Sequence, residues 1–124
     1  MKKKEELQLF ADYYRDFIEE GLKCGSEHTV KNYKVSMGLY LEFLENNCSV
    51  NKKNFSVNHF NTANIRKYLD WLEDHRNCTA QSCNVRLSSL RAFLKYVVSR
   101  DIVYTWLYVQ SCSIRLRKIS ILKS

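Results

Sequence analysis

The sequence predicts an all-α protein, four main helices around one core. Three observations carry this. Proline is absent and glycine occurs only three times in 124 residues, at Gly21, Gly25 and Gly38, which leaves little of the punctuation that a turn-rich β architecture needs. Apolar residues recur at steps of three and four in four separate stretches, the spacing of one helix face. Side chains that cap helices stand ahead of the later stretches, at Ser26 or Thr29, Thr62, and Thr79 or Ser82.

Taken in order, residues 5–22 form the first predicted helix. Leu7, Phe10, Tyr14, Phe17 and Ile18 make its apolar stripe, acids lie between them, and Gly21 or Gly25 ends it. Its acidic outer face, with Glu19 and Glu20, is expected to point away from any polyanion. Residues 26–46 form the second, with Val30, Tyr33, Met37, Tyr40, Leu41 and Leu44 as its stripe. Its outer face is polar and basic at the start, through Thr29, Lys31, Asn32, Lys34 and Ser36, and acidic at the end, through Glu42 and Glu45. Gly38 inside it costs about 1 kcal/mol against alanine; either something packs closely there or the position is tolerated. A polar connection follows to Asn61, from which Val57 and Phe60 are expected to reach the core. Thr62 then caps a third helix over 63–76, with Ile65, Tyr68, Leu69 and Leu72 inward and Trp71 at the edge.

The fourth helix, 79–100, organises the chain. Leu87, Leu90, Phe93, Leu94 and Val97 are its core face. Gln81, Asn84, Ser88, Arg91 and Lys95 fall at steps of three and four on another side. That side offers only hydrogen-bonding and cationic groups, which suits a partner made of phosphates and base edges. Residues 102–109 are apolar and read as a short helix or strand. Ile114, Leu116, Ile119 and Ile121 alternate with Arg115, Arg117 and Lys118, which suggests extended structure.

At this length the chain is one domain with tails. Eight tyrosines, six phenylalanines and two tryptophans give bulk for a core. No stretch is long and apolar enough to cross a membrane. The start, Met1 to Lys4, is followed by Glu5 and Glu6 rather than an apolar run, so it is not read as a signal peptide. The cytosol is the expected location. The five cysteines contain no C-x-x-C pair, and His28, His59 and His75 are not at finger spacing, so reduced thiols are expected and neither a metal nor a cofactor.

Net charge is +7, and its placement is one-sided. Residues 5–23 hold six acidic and two basic groups, whereas residues 79–124 hold eight basic groups and one acid. Such an excess points to a polyanion, nucleic acid first. A solvated basic face with a basic tail accounts for the same charges.

The order of motifs resembles a known pattern. His28-Thr29-Val30-Lys31-Asn32-Tyr33 opens one helix and Leu41-Glu42-Phe43-Leu44 follows. Thr62-Ala63-Asn64-Ile65-Arg66-Lys67-Tyr68-Leu69 comes next, and then Thr79 through Tyr96, with Asn84-Val85-Arg86-Leu87-Ser88-Ser89-Leu90-Arg91 at its centre. Together these resemble the N-terminal core-binding, SAM-like domain of tyrosine recombinases, the phage-integrase family, over residues 5–103. The resemblance implies an orthogonal bundle of four to five helices that clamps one face of double-stranded DNA. A catalytic domain of the same recombinase clamps the other face, and self-assembly on DNA is also implied. It nominates Thr29, Lys31, Asn32 and Lys34 from the second helix and Gln81, Asn84, Arg86, Ser88, Arg91 and Lys95 from the fourth. Lys31 and Lys34 suit phosphates. Gln81 and Asn84 suit either adenine or a helix-start network.

The implied role is in DNA integration and recombination for a mobile element, in a bacterial cytoplasm and on the nucleoid when bound. The family's Asn-Pro after the fourth helix is missing: Val103-Tyr104-Thr105-Trp106-Leu107 stands there. The expected division is therefore 1–103 as the DNA-binding unit and 104–124 as an atypical basic tail or linker. The family's tyrosine nucleophile and its arginines would lie after residue 124, so this chain is expected to bind DNA without cutting it, with no catalytic residue of its own. A helical protein-interaction module with a basic docking face is the alternative.

Overall fold

The computed structural model describes residues 2–119, with side chains from Glu6 onward. It contains α1 (Lys2–Cys24), α2 (Glu27–Cys48), α3 (Thr62–His75), α4 (Ala80–Arg100) and α5 (Thr105–Cys112), and no strand among the described residues. Short 3-10 turns over Val57–Phe60 and Ile102–Tyr104 lead into α3 and α5. No helix among the described residues is long and apolar enough to cross a membrane.

The helix starts follow local chemistry. Ser26 caps α2 by accepting from the Thr29 amide at 3.1 Å, and Thr79 caps α4 by accepting from the Ser82 amide at 3.1 Å. The third cap corrects the expectation of Thr62. Asn61 takes that place, its Oδ1 accepting from the Asn64 amide at 2.9 Å, and Thr62 is already helical. Asparagine one residue earlier competes well because its carbonyl reaches the free amides of the first turn. α2 ends at Ser49 in the left-handed region, φ 56°, where its amide bonds back to the Leu44 carbonyl.

The core is aromatic at its centre. Phe93 of α4 meets Phe17 of α1 and Phe60 of the connection, each at 5.5 Å between ring centroids, and Phe10 at 5.7 Å. Val57 and Phe60 are fully buried, as their spacing predicts. Ile65, Tyr68, Leu69 and Leu72 of α3 close the core from another side, and Trp71 stands half-buried at its edge, 5.7 Å from Phe43. Tyr40 donates its hydroxyl to the His59 carbonyl at 2.6 Å, and Tyr68 donates to the Ser36 carbonyl at 3.2 Å. Each buried ring thus carries a satisfied polar end.

Past α4 the chain stays on the bundle. Leu107 is 1% exposed and Ile114 4% exposed, both within the core cluster. Burial in the core cluster therefore reaches Ile114. Of the two readings for 102–109, helix is the observed one. The alternation over 114–121 does not produce a strand: residues 115–119 are irregular. No neighbouring strand is present among the described residues to pair with them, and a lone extended segment has no ladder. Ile121 and Lys123 lie outside the described residues.

Gly38 is exposed, and a Cβ built there meets nothing within 4 Å. No neighbouring helix requires it. Gly38→Ala is expected to stabilise the fold by about 1 kcal/mol, read as a higher midpoint in urea unfolding. A second outcome concerns alkaline pH. Burial pushes the hydroxyl pKa values of Tyr40 and Tyr68 above the usual 10. The folded state holds these protons more tightly than the unfolded chain, so their contribution is intact below about pH 10 and is lost as pH rises through the folded values. Urea midpoints are expected to fall between pH 9 and pH 11, and to fall less in Tyr68→Phe.

Candidate nucleic-acid interface

α2 and α4 run side by side with a furrow along their seam. Three adjoining hollows of about 250, 360 and 440 Å³ make it up. The first is lined by His28, Asn32, Thr79, Gln81, Ser82 and Arg86, and the second by Thr29, Asn32, Tyr33, Gln81, Asn84 and Ser88 among others. The third continues through Thr29 and Tyr33 to Lys95, Tyr96 and Ser99, where Phe17, Glu20, Gly21 and Cys24 of α1 supply its other wall. From Thr79 to Ser99 the furrow follows α4 for about 30 Å, at about 1.5 Å per helical residue. No carboxylate lines the first two hollows, and Glu20 enters only the third.

The furrow exists because small side chains stand where a ridge would otherwise fill it. Ser88, Ser89 and Ala92 supply the α4 wall. Arg86 fixes the spacing from below: its Nη1 donates to Ser36 Oγ at 3.0 Å and lies 3.4 Å from the Asn32 carbonyl. Ser36, expected on the outer face of α2, is instead fully buried, because Arg86 and Tyr68 reach its hydroxyl and its carbonyl. Three helices therefore meet at one serine.

The ten nominated residues separate into three groups. Thr29, Asn32, Gln81 and Ser88 line the furrow together. Lys31, Lys34 and Lys95 are exposed, Lys95 at the furrow's far end and the other two on the outer side of α2. Arg86, Asn84 and Arg91 make internal bonds. Arg91 donates Nε to the Ser111 carbonyl at 2.9 Å and Nη2 to the Ile114 carbonyl, so it caps the end of α5. Asn84 pairs with the backbone of Arg117, donating to its carbonyl at 2.9 Å and accepting from its amide at 2.7 Å. Arg117 in turn donates Nη2 to Asp70 Oδ1 at 2.7 Å, and its Nε lies 2.9 Å from Glu73 Oε2.

Several furrow residues are not evident from the helical period. The spacing of α2 places Tyr33 in the core, yet it is only half-buried and forms part of the furrow wall. Val85, Ser89 and Ala92 flank the nominated positions by one residue. The run of small residues at 88, 89 and 92 is the signal in the sequence that marks them. A larger hollow of about 630 Å³ lies elsewhere, among Leu7, Phe10, Leu41, Leu44, Val50 and Phe55. Glu45, Asn51, Lys52 and Lys53 also line it, so an acid stands among its polar groups, unlike the first two hollows of the α2–α4 furrow. Cys24, Cys48, Cys78, Cys83 and Cys112 are all free thiols. Among the described residues no group of three or more His, Cys, Asp or Glu side chains could hold a metal ion.

Residues 10–101 match the phage integrase N-terminal SAM-like domain. The match begins inside α1, takes in both walls of the furrow and stops at Asp101, before α5. No curated protein and no solved structure matches the chain.

The internal bonds of Arg86 set it apart from the exposed cations. Arg86→Met leaves the buried Ser36 hydroxyl without its donor, a loss of about 1–3 kcal/mol. Lys95→Met is expected to change stability by less than about 0.5 kcal/mol. Urea unfolding of the two variants side by side checks the contrast, and equal midpoints would remove the structural role given to Arg86.

Proposed function

The chain belongs to the phage integrase N-terminal SAM-like domain family, and from that premise we propose that it is the part of a site-specific tyrosine recombinase that grips duplex DNA at the recombination core site. Its role is positioning. It holds the duplex while a catalytic domain carries the nucleophile, and it serves DNA integration and recombination as in a mobile element. One observation supports the reading: α2 and α4, the helices that the resemblance nominates for DNA, meet in a furrow whose first two hollows offer amides and hydroxyls and contain no acid, with Lys95 at its far end.

The division of labour follows from chemistry. Lys31, Lys34 and Lys95 are point charges on flexible stems, suited to phosphates, and they supply affinity without sequence information. Asn32 and Gln81 each offer a donor beside an acceptor, and Thr29 and Ser88 offer hydroxyls, the groups that distinguish base edges in a major groove. Arg86 and Arg91 add positive charge from tethered positions, and Asn84 belongs to the same face. A single recognition helix reads from its exposed side; here two helices present a seam.

Duplex binding measured by fluorescence anisotropy over a range of salt tests this. Replacing Lys31, Lys34 and Lys95 together by Gln is expected to weaken binding to all sequences about equally. The slope of log K against log salt should shrink by about one for each phosphate that is no longer neutralised. Gln81→Ala is expected to leave that slope alone and to relax discrimination at one base pair by about 1–3 kcal/mol. A wild-type chain that ignores duplex at low salt, yet captures an acidic protein partner, would replace this reading with a protein-docking module.

A further inference from the structure

Residues 115–119 lie against α4 in a way that the fold does not require. The core ends at Ile114, which is buried and whose carbonyl is held by Arg91. Beyond it Leu116 and Ile119 are 55% and 50% exposed, so no apolar burial fastens the segment. It has no helix or strand of its own. What holds it is polar: the paired bonds between Asn84 and the Arg117 backbone, and the approach of the Arg117 side chain to Asp70 and Glu73. Those carboxylate side chains are 69% and 40% exposed, whereas the Arg117 side chain is 22% exposed, so water and salt reach the ion pairs from the carboxylate side.

The Asn84 contact has a specific form. Its Oδ1 accepts an N–H and its Nδ2 donates to an acceptor beside it, both on one residue of the segment. A peptide residue that shows its N–H and C=O on one side presents a donor next to an acceptor. The major-groove edge of adenine presents the same pair, the N6 amino group and N7, and an asparagine amide meets that edge in this bidentate manner. The backbone of Arg117 therefore occupies Asn84 as a base edge would. The segment also carries Arg115, Arg117 and Lys118, which pair with phosphates through the same charge-assisted bonds that Arg117 makes to carboxylates.

We propose that residues 115–119 form a releasable strap, hinged at Ile114, that fills the Asn84 amide in the free chain, and that duplex DNA displaces it so that Asn84 reads adenine. The inference rests on the DNA-binding reading above and adds to it a reader covered until the duplex arrives. Release exposes no core residue, because Leu116 and Ile119 are already half exposed and the Arg117 side chain is the part of the strap that leaves a covered position. The hinge stays put, because Arg91 and the buried Ile114 keep α5 capped. Arg117 trades Asp70 and Glu73 for phosphate as the strap lifts.

Amide hydrogen exchange on the full chain, alone and saturated with duplex at low salt, tests the strap. The probes are an alternating A·T duplex and an all-G·C duplex. In the free chain the Arg117 amide is expected to be protected, and in Asn84→Ala that protection is expected to vanish while the buried amides of α4 keep theirs. Saturation with the A·T duplex is expected to expose the Arg117 amide in the wild-type chain. Wild type is also expected to favour A·T over G·C duplex by about tenfold, a preference that falls toward one in Asn84→Ala. An Arg117 amide that stays protected in the saturated complex overturns the strap, and so does a preference unchanged by Asn84→Ala. If neither duplex binds at low salt, the DNA-binding reading itself fails, an outcome distinct from binding with the strap in place.

Discussion

Arg86 is the interaction on which the geometry of this molecule depends. Its guanidinium reaches across from α4 to the hydroxyl of Ser36 and the carbonyl of Asn32, and Tyr68 of α3 reaches the carbonyl of the same serine. A buried serine with no partner would oppose folding, because desolvating a hydroxyl or carbonyl without a hydrogen bond costs more than the packing around it returns. With both partners present, the serine fixes how close α2, α3 and α4 approach. Hydrophobic packing alone tolerates small shifts of one helix along another. A fork of directed donors does not. The furrow keeps its width because the bonds of Arg86 between its two walls have directions.

The same logic explains why an acid-free helix is not simply a free basic face. α4 carries Arg86, Arg91, Lys95 and Arg100 with no acid among them. Two of these cations meet carbonyl oxygens of neighbouring segments: Arg86 at Asn32, and Arg91 at the end of α5. Arg100 lies over the ring of Tyr96, 5.0 Å from its centroid, and donates to that tyrosine's hydroxyl at 2.8 Å. Carbonyls left over at a helix end are partial negative charges and need a donor. Arginine suits the task, since its planar fork can serve two oxygens at once and stays charged. Lys95 has a single head on a flexible stem and remains exposed. The chemical difference between the two cation types thus sorts the helix into structural and available charge.

Much of this is legible in the residues. Helical spacing places Phe10, Phe17, Tyr40, Tyr68, Leu87 and Phe93 in the core, and all six are buried. The four main helices and the turn residues that reach inward, Val57 and Phe60, follow from the same periodicity. The furrow is half legible: Thr29, Asn32, Gln81 and Ser88 lie where the polar side of each helix predicts them. The bonds of Asn84, Arg86 and Arg91 are not, because each partner lies at least 20 residues away in sequence, at Arg117, Ser36 and Ser111. A period identifies a face and says nothing about which distant backbone crosses it. The tail departs from expectation for a related reason. Its apolar residues alternate as a strand's would, whereas among the described residues after α4 Leu107 and Ile114 are the buried hydrophobic ones, with Tyr104 and Tyr108 packed beside them.

The separation of charge from hydrogen-bonding groups bears directly on what the furrow is suited for. A groove lined with lysine or arginine would hold any phosphate backbone that entered and would discriminate poorly, since phosphates are the same at every step. In the middle hollow the polar lining is neutral, made of Thr29, Asn32, Gln81, Asn84 and Ser88 among others, while Lys31, Lys34 and Lys95 stand outside that hollow. Neutral amides cost less to desolvate than charges do, so a partner can be drawn close and its edges compared one by one. A wrong edge leaves an amide unpaired, and that penalty is the source of selectivity. In the proposed reading the lysines bring the duplex to the surface and the seam between α2 and α4 tests its sequence. The two tasks then fall on side chains that can be altered separately, because Arg86 holds the seam through the Ser36 hydroxyl and the backbone carbonyl of Asn32, which use the side chains of neither group.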